Sequence, residues 1–296
     1  MDPSLETAIL DALDALLAAL ALQRVDEHRF RAPGDNVRMF GHIYGGQLLA
    51  QALVAAGATV PEKAPEALHA AFVRAGTPGC SLDLVVDRVR DGRSMATRQV
   101  TVLENDKELL VAIVSFHDGG TEPHLATPAP RMAPPEDVPL LQQWAHELSG
   151  DFQGHGRSWI EQPPPVEMRI GEALSFLGGT SSSPTRSHWM RLPRDVGDEP
   201  LLHTALLTYA SDFFLMDMVF RAHPAAEGPG RSNGFSIDHA IWFHRPVRFD
   251  QWHLHTQEAL AVVGDRGLAR GVIHDADGRL VATVMQEVLM LPGPAG

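Results

Sequence analysis

Apolar positions recur along the chain in two matching runs, Leu110-Val111-Ala112-Ile113-Val114-Ser115-Phe116 and Leu280-Val281-Ala282-Thr283-Val284-Met285-Gln286. Each closes one half of the sequence. Upstream of each comes a polar turn (Asn105-Asp106-Lys107; Asp275-Ala276-Asp277-Gly278), then a strand-like run and a second turn (Asp91-Gly92; Gly264-Asp265). Further upstream lie an extended segment that opens His-Ala (His69-Ala70; His239-Ala240) and, before it, a long apolar helix. The order helix, strand, strand, strand, strand is therefore written twice, with the two His-Ala openings aligned. The ends of the matching runs differ, Phe116 in the first half and Gln286 in the second. The halves share a shape but not a chemistry.

No charged residue falls between Ile43 and Pro61, and Gly45-Gly46 opens a run, Gln47 to Ala58, that is apolar around most of its circumference. A helix of that kind is buried on all sides. Its counterpart, Leu201 to Phe220, carries charge only at Asp212 and Asp217. Around each helix the chain alternates with period two, in Leu82 to Asp87 and in His253 to Val263, as antiparallel strands do. The pattern predicts an α+β fold of the hotdog kind made twice: a double hotdog, with two antiparallel sheets each wrapped around a long central helix. Residues 1–120 form the first half with an N-terminal helix. Residues 121–165, rich in Pro, His and Gly, form a linker with a short helix at Val138 to Leu148, and 166–296 form the second half, which is expected to carry the catalytic residues. Leu5 to Leu22 is apolar, but Glu6, Asp11 and Asp14 interrupt it and no basic segment precedes it, so it reads as an amphipathic helix and not a leader. No run has the uninterrupted apolar length of a membrane span, so a soluble protein is expected, and a single cysteine, Cys80, suits a reducing cytoplasm.

The formal charge of −13 argues against nucleic acid and against an anionic membrane surface as partners. A lone Cys80 excludes an internal disulfide framework and a thiolate metal site. Fifteen histidines are present, but none stands in a His-Glu-x-x-His motif, and no metal site is expected. A Gly-x-Ser-x-Gly elbow is absent, as is a dinucleotide fingerprint after a strand. Chemistry here has to use water as the nucleophile. Asp212, read as mid-helix among apolar neighbours, is the first candidate, because burial raises a carboxyl pKa toward values useful for a general base. Gln286 is the second: strand alternation sets it on the apolar face with Ala282, Val284 and Val288, pointing at the helix, where a buried amide needs partners. Ser236, which leads into the next strand after Gly234, is weak by itself. Asp217 is read as an acid that reaches the helix edge and water.

Several segments together resemble the type II acyl-CoA thioesterases, bacterial and peroxisomal double-hotdog enzymes. They are Tyr44-Gly45-Gly46-Gln47, Phe72-Val73-Arg74-Ala75-Gly76, Arg90-Asp91-Gly92-Arg93-Ser94, Tyr209-Ala210-Ser211-Asp212, the ten residues from Ile237 to Pro246, and Val284-Met285-Gln286-Glu287. The resemblance implies hydrolysis of a fatty acyl-CoA to free acid and CoA, with Asp212, Ser236 and Gln286 together holding and activating water. Ser236 stands where that family has Thr, keeping the hydroxyl and losing the methyl. Ala75 stands where the family usually has Pro. No cofactor is implied, since CoA is part of the substrate. A thiol leaves with a pKa of about 8.5, so one base and oxyanion donors suffice. Gly45, Gly46 and Gln47 are the expected substrate-binding residues, and the N–H groups at the N-terminal end of one of the two central helices are the expected oxyanion donors, the sequence not fixing which half supplies them. A hotdog hydratase and a non-catalytic acyl-CoA-binding protein are the alternatives, the second favoured if Asp212 is fully solvated. A homodimer or higher homo-oligomer is expected, because each sheet has a second face to cover.

Overall fold

The computed structural model describes residues 2–33, 41–119, 125–146, 159, 161–181, 183–223 and 234–291. Helix α1 (Pro3–Leu20) is capped by the Asp2 side chain and buries Leu5, Ile9, Leu13, Leu16 and Leu20, while Glu6, Asp11 and Asp14 stay in solvent. Strands β1 (Gln23–Arg24) and β2 (Arg29–Ala32) lead to helix α2 (Gly45–Gly57), in which all but two residues are buried. Then come β3 (Ala64–Phe72), β4 (Leu82–Asp91), β5 (Met95–Glu104) and β6 (Lys107–His117). In the second half, β7 (Glu167–Ile170) and β8 (Thr185–Arg191) precede helices α4 (Pro200–Ser211) and α5 (Leu215–Ala222). Strands β9 (Gly234–Ser236), β10 (Asp238–Phe243), β11 (His253–Val263), β12 (Arg266–Asp275) and β13 (Leu280–Met290) follow.

The strands do not form two sheets. Among the described residues they form one antiparallel sheet of 13 strands in the order β1-β2-β4-β5-β6-β3-β10-β13-β12-β11-β8-β7, with β9 paired to β13. The halves join where β3 meets β10, at Ala70 opposite His239 and Leu68 opposite Ile241. Each half would otherwise leave an unpaired edge there, and pairing the edges satisfies the backbone groups of both. The same pairings correct the internal alignment. Leu68 lies opposite Val114, and Ile241 lies opposite Val284. Since Val114 and Val284 correspond, Leu68 corresponds to Ile241 and His69 to Trp242, not to His239. His69 and Trp242 meet edge to face across the join, with ring centroids 5.0 Å apart.

The expected helix from Leu201 to Phe220 is broken. It stops at Ser211 and restarts at Leu215, with Phe214 in the left-handed region at φ 68°. No Gly or Pro marks the break, which is why an apolar pattern reads through it. Buried side chains from the sheet satisfy the carbonyls the break exposes. Gln257 Nε2 donates to the Phe213 carbonyl at 2.7 Å and Arg186 Nη2 to that of Phe214 at 3.0 Å. Asp217, expected at the water edge, is instead buried against Arg186 and accepts the Ser175 N–H at 3.0 Å.

The described residues of the intervening segment pack on the second half. Within it, helix α3 (Leu141–His146) occupies part of the expected Val138–Leu148 helix, whose last two residues lie outside the described residues. Leu141 enters the main core, and Trp189 Nε1 donates to the Ala133 carbonyl at 2.9 Å.

Replacing Asp217 with Leu would leave the Arg186 guanidinium buried without its counter-charge. A loss of about 3–5 kcal/mol is expected, which urea unfolding measures against the parent.

Candidate active site

Asp212 is not mid-helix but caps the C-terminal end of α4, with φ −79° and ψ −10°. The negative end of its own helix disfavours a carboxylate there. The N-terminal end of α2, from the other half of the chain, compensates. Gly46 N–H donates to Asp212 Oδ2 at 2.8 Å. The two helix ends approach closely because position 46 has no side chain: a Cβ there would lie 2.3 Å from the Tyr209 carbonyl oxygen. A Cβ at Gly45 would stand 3.0 Å from Asp212 Oδ2. The side chain of Asp212 is 6% exposed. Burial raises its pKa above the ordinary aspartate value, opposed by nearby His239 and by hydrogen bonds from Gly46, Gln286 and Tyr44.

Gln286 comes from β13 and, as alternation requires, faces the helices. Its Nε2 donates to Ser236 Oγ at 2.6 Å, and its Oε1 lies 2.8 Å from His239 Nδ1. Ser236 ends β9, whose pairing sets it opposite Val288. Asp212, Ser236 and Gln286, far apart in sequence, are therefore brought together by α4, β9 and β13. Gly45 and Gly46 border the same carboxylate. Gln47 is buried, with its N–H bonded to the Tyr44 carbonyl at 3.0 Å.

The sequence reading missed His239. It stands on β10 one step from the Ala240–Met285 pair, hence beside Gln286 on the inner face. It is fully buried, with Nδ1 3.9 Å from Asp212 Oδ1 and Nε2 2.9 Å from Ser211 Oγ. Burial lowers its pKa, while Asp212 and Gln286 pull the other way. The signal was present: His239 alternates with buried Ile241, but which strand lies next to β13 is a tertiary fact. Tyr44, stacked on Phe213 at 5.2 Å, and Ser211 were missed for the same reason. Deeper in the sheet His255 and His188 pair at a ring distance of 5.1 Å. Burial first, then His239 and Arg186, hold His255 down to about 3. Among the described residues no group of three or more His, Cys, Asp or Glu is placed to hold a metal ion.

In the first half, Phe116 occupies the place of Gln286 and is fully buried. Helix α2 carries no carboxylate along its length.

The acyl-CoA thioesterase N-terminal domain model matches residues 33–117, and the C-terminal domain model matches residues 132–290. Acyl-CoA thioesterase 2 of Haemophilus influenzae is 30% identical over 287 residues, covering 95% of this chain and 98% of its own. Acyl-coenzyme A thioesterase 8 of Mus musculus is 29% identical, covering 91% of this chain and 87% of its own. Among solved structures, the acyl-CoA thioesterase II TesB2 of Mycobacterium marinum superposes with a TM-score of 0.73 at 28% identity, over 95% of this chain and 99% of that one. A hotdog-fold protein of Alicyclobacillus acidocaldarius, 21% identical, shares the fold with a TM-score of 0.73 over 94% of this chain and 98% of that one. With both domain models in sequence and relatives matched end to end, this chain belongs to the type II acyl-CoA thioesterase family.

Proposed function

We propose that the chain hydrolyses fatty acyl-CoA to free acid and CoA, using one water held by Asp212, Ser236 and Gln286. The observation that carries this reading is the buried Asp212 carboxylate with its raised pKa, set beside the Gln286–Ser236 pair. Ser236 accepts from Gln286 and so has its own proton to direct at the water oxygen. The water then gives a proton to Asp212, and its oxygen attacks the thioester carbon. When the tetrahedral species collapses, the C–S bond breaks and the thiolate leaves with the electron pair, taking up the proton that Asp212 holds. The N-terminal end of α2 favours negative charge beside the reacting carbonyl. Residues 166–296 thus act as the catalytic half of a double hotdog, and residues 1–120 lend the helix end.

Neither alternative fits as well. A hydratase needs a histidine that reaches substrate, and although His239 lies near Asp212, Ser211 and Gln286 occupy both its ring nitrogens. A fully solvated Asp212 would have favoured a non-catalytic binding role, and its side chain is buried. A cytoplasmic homo-oligomer is part of the same proposal, with half-exposed Trp242 and Met285 and exposed Ile113 on the outer sheet face. Light scattering at micromolar concentration should give a mass above that of one chain, and a strict monomer would overturn it.

Asp212→Asn should lower the turnover of acyl-CoA by about 10² to 10⁴, the scale of a lost general base, in a free-thiol release assay. Its effect on stability should have the opposite sign. Because the folded carboxyl is harder to ionise than the unfolded one, ionising it costs stability; that cost is absent below about pH 3.9 and complete above the folded pKa. The variant should therefore melt higher than the parent at neutral pH, the gap closing as the buffer is acidified. A correctly folded variant with near-normal turnover would sink the assignment.

Phe116→Leu tests the asymmetry of the halves. A core repacking of about 1–2 kcal/mol should leave turnover within a few-fold of the parent. If Asp212→Asn instead retained about half the activity, a second site in the first half would be required.

A further inference from the structure

Asp212, Ser236 and Gln286 leave one question of chemistry open: what keeps the Gln286 amide the right way round. An amide has one accepting end and one donating end, and it can flip by rotation about its last bond. Two neighbours read the donating end. Asp212, as a carboxylate, can only accept, and Gln286 hydrogen-bonds to it. Ser236 Oγ lies 2.6 Å from Nε2. That leaves Oε1 facing His239 Nδ1 at 2.8 Å, and an amide oxygen can only accept. Nδ1 must therefore carry the proton.

In a neutral imidazole the other nitrogen, Nε2, is then an acceptor; it lies 2.9 Å from Ser211 Oγ, whose single proton is shared with the Thr208 carbonyl oxygen at 2.8 Å. Ser211 is the residue before Asp212, at the end of α4. A chain of donors runs His239 Nδ1–H to Gln286 Oε1, and Gln286 Nε2–H to Ser236 and Asp212. Each link fixes the sense of the next. The lowered pKa of His239 agrees with the neutral ring that this chain needs. Full burial and two occupied nitrogens keep His239 away from substrate.

We propose that His239 is a positioning residue of the thioester hydrolysis: its Nδ1–H holds Gln286 in the orientation that presents N–H to Ser236 and Asp212. This rests on the reading of Asp212, Ser236 and Gln286 as the water-activating group. Without the Nδ1–H donor the amide can turn its oxygen toward the carboxylate, where two acceptors meet, and the water loses its place.

The test compares two amide replacements of His239 in the full chain, assayed by thiol release from the acyl-CoA that the parent turns over fastest. In His239→Asn the side-chain N–H sits near the Nδ1 position and can still donate to Gln286. His239→Gln fills the volume better but carries its amide farther out, near Nε2, toward Ser211. The proposal expects His239→Asn to keep kcat within about tenfold and His239→Gln to lose about 10²-fold, with KM little changed in both. A role in packing alone predicts the reverse order, and that order would overturn the proposal. His239→Gln combined with Gln286→Ala supplies the second measurement. If His239 acts through Gln286, the double variant should be no slower than Gln286→Ala alone; additive losses reject it. Gln286→Ala with parental turnover would instead reject the underlying water-activating reading. An inactive Gln286→Ala beside a fully active His239→Gln would reject only the positioning role. Should His239→Gln not fold, His239→Leu takes its place, expected to lower kcat with KM unchanged; a parental kcat there overturns the proposal.

Discussion

The hydrogen bond from Gly46 to Asp212 is the contact on which the arrangement of this molecule turns. It brings the N-terminal end of one half's helix against the C-terminal end of the other's, over a carboxylate that neither end could hold alone. At the end of α4 an ionised aspartate meets the wrong pole of its own helix and little water. The opposite pole of α2 supplies an N–H and a favourable field at the same point. The glycine is required for the approach, because any side chain at position 46 would strike the Tyr209 backbone. Joining two halves in one chain thus gives the second half something it lacks, even though the first half has no carboxylate of its own on α2.

The break in the second helix follows from the same constraint. Had α4 run on to Phe220, Asp212 would sit mid-helix with its backbone committed to the helical ladder. Stopping at Ser211 places the carboxylate on the helix end that faces Gly46. The cost is a bulky Phe214 at positive φ and freed carbonyls in an apolar core. Gln257 and Arg186 reach up from the sheet to satisfy them, and Asp217 neutralises the arginine. A buried ion pair some distance from the proposed chemistry is therefore explained by the backbone geometry that the carboxylate needs. Residues held in uncommon backbone conformations gather at sites of this kind when the surroundings over-determine them.

Much of the fold was legible in the sequence because it rests on periodicity. The buried helix α2, the antiparallel meanders and the doubled order are all local patterns, and the structure has them. Asp212 and Gln286 stood out because a charge and an amide interrupted apolar runs. What could not be read depends on which strand lies beside which. The sequence suggests two sheets, since nothing in β3 or β10 announces that their edges will pair. The same blindness set His69 level with His239 on the strength of a shared dipeptide, when the pairing sets it level with Trp242. The helix break was hidden because its signals lie on the partners, Gln257 and Arg186, and not in the helix itself.

His239 shows how far the difference between the halves extends. Its counterpart by strand pairing is Pro65, opposite Phe116 and next to the bulge at Glu66, whose exposed carboxylate accepts the Ser115 hydroxyl at 2.7 Å. Gln286 and His239 are neighbours across two strands; so are their counterparts, the region of Pro65 and Glu66 beside Phe116. A buried amide with no donor for its oxygen would be costly, and a buried histidine with no acceptor equally so. The two polar residues are therefore tolerable only as a pair, and the apolar alternative, Phe116 opposite Pro65, replaces both at once. Polar satisfaction makes the choice between the two states nearly all-or-none at this position. That is a physical reason for two copies of one shape to hold either a complete hydrogen-bond chain or a dry core, and nothing between.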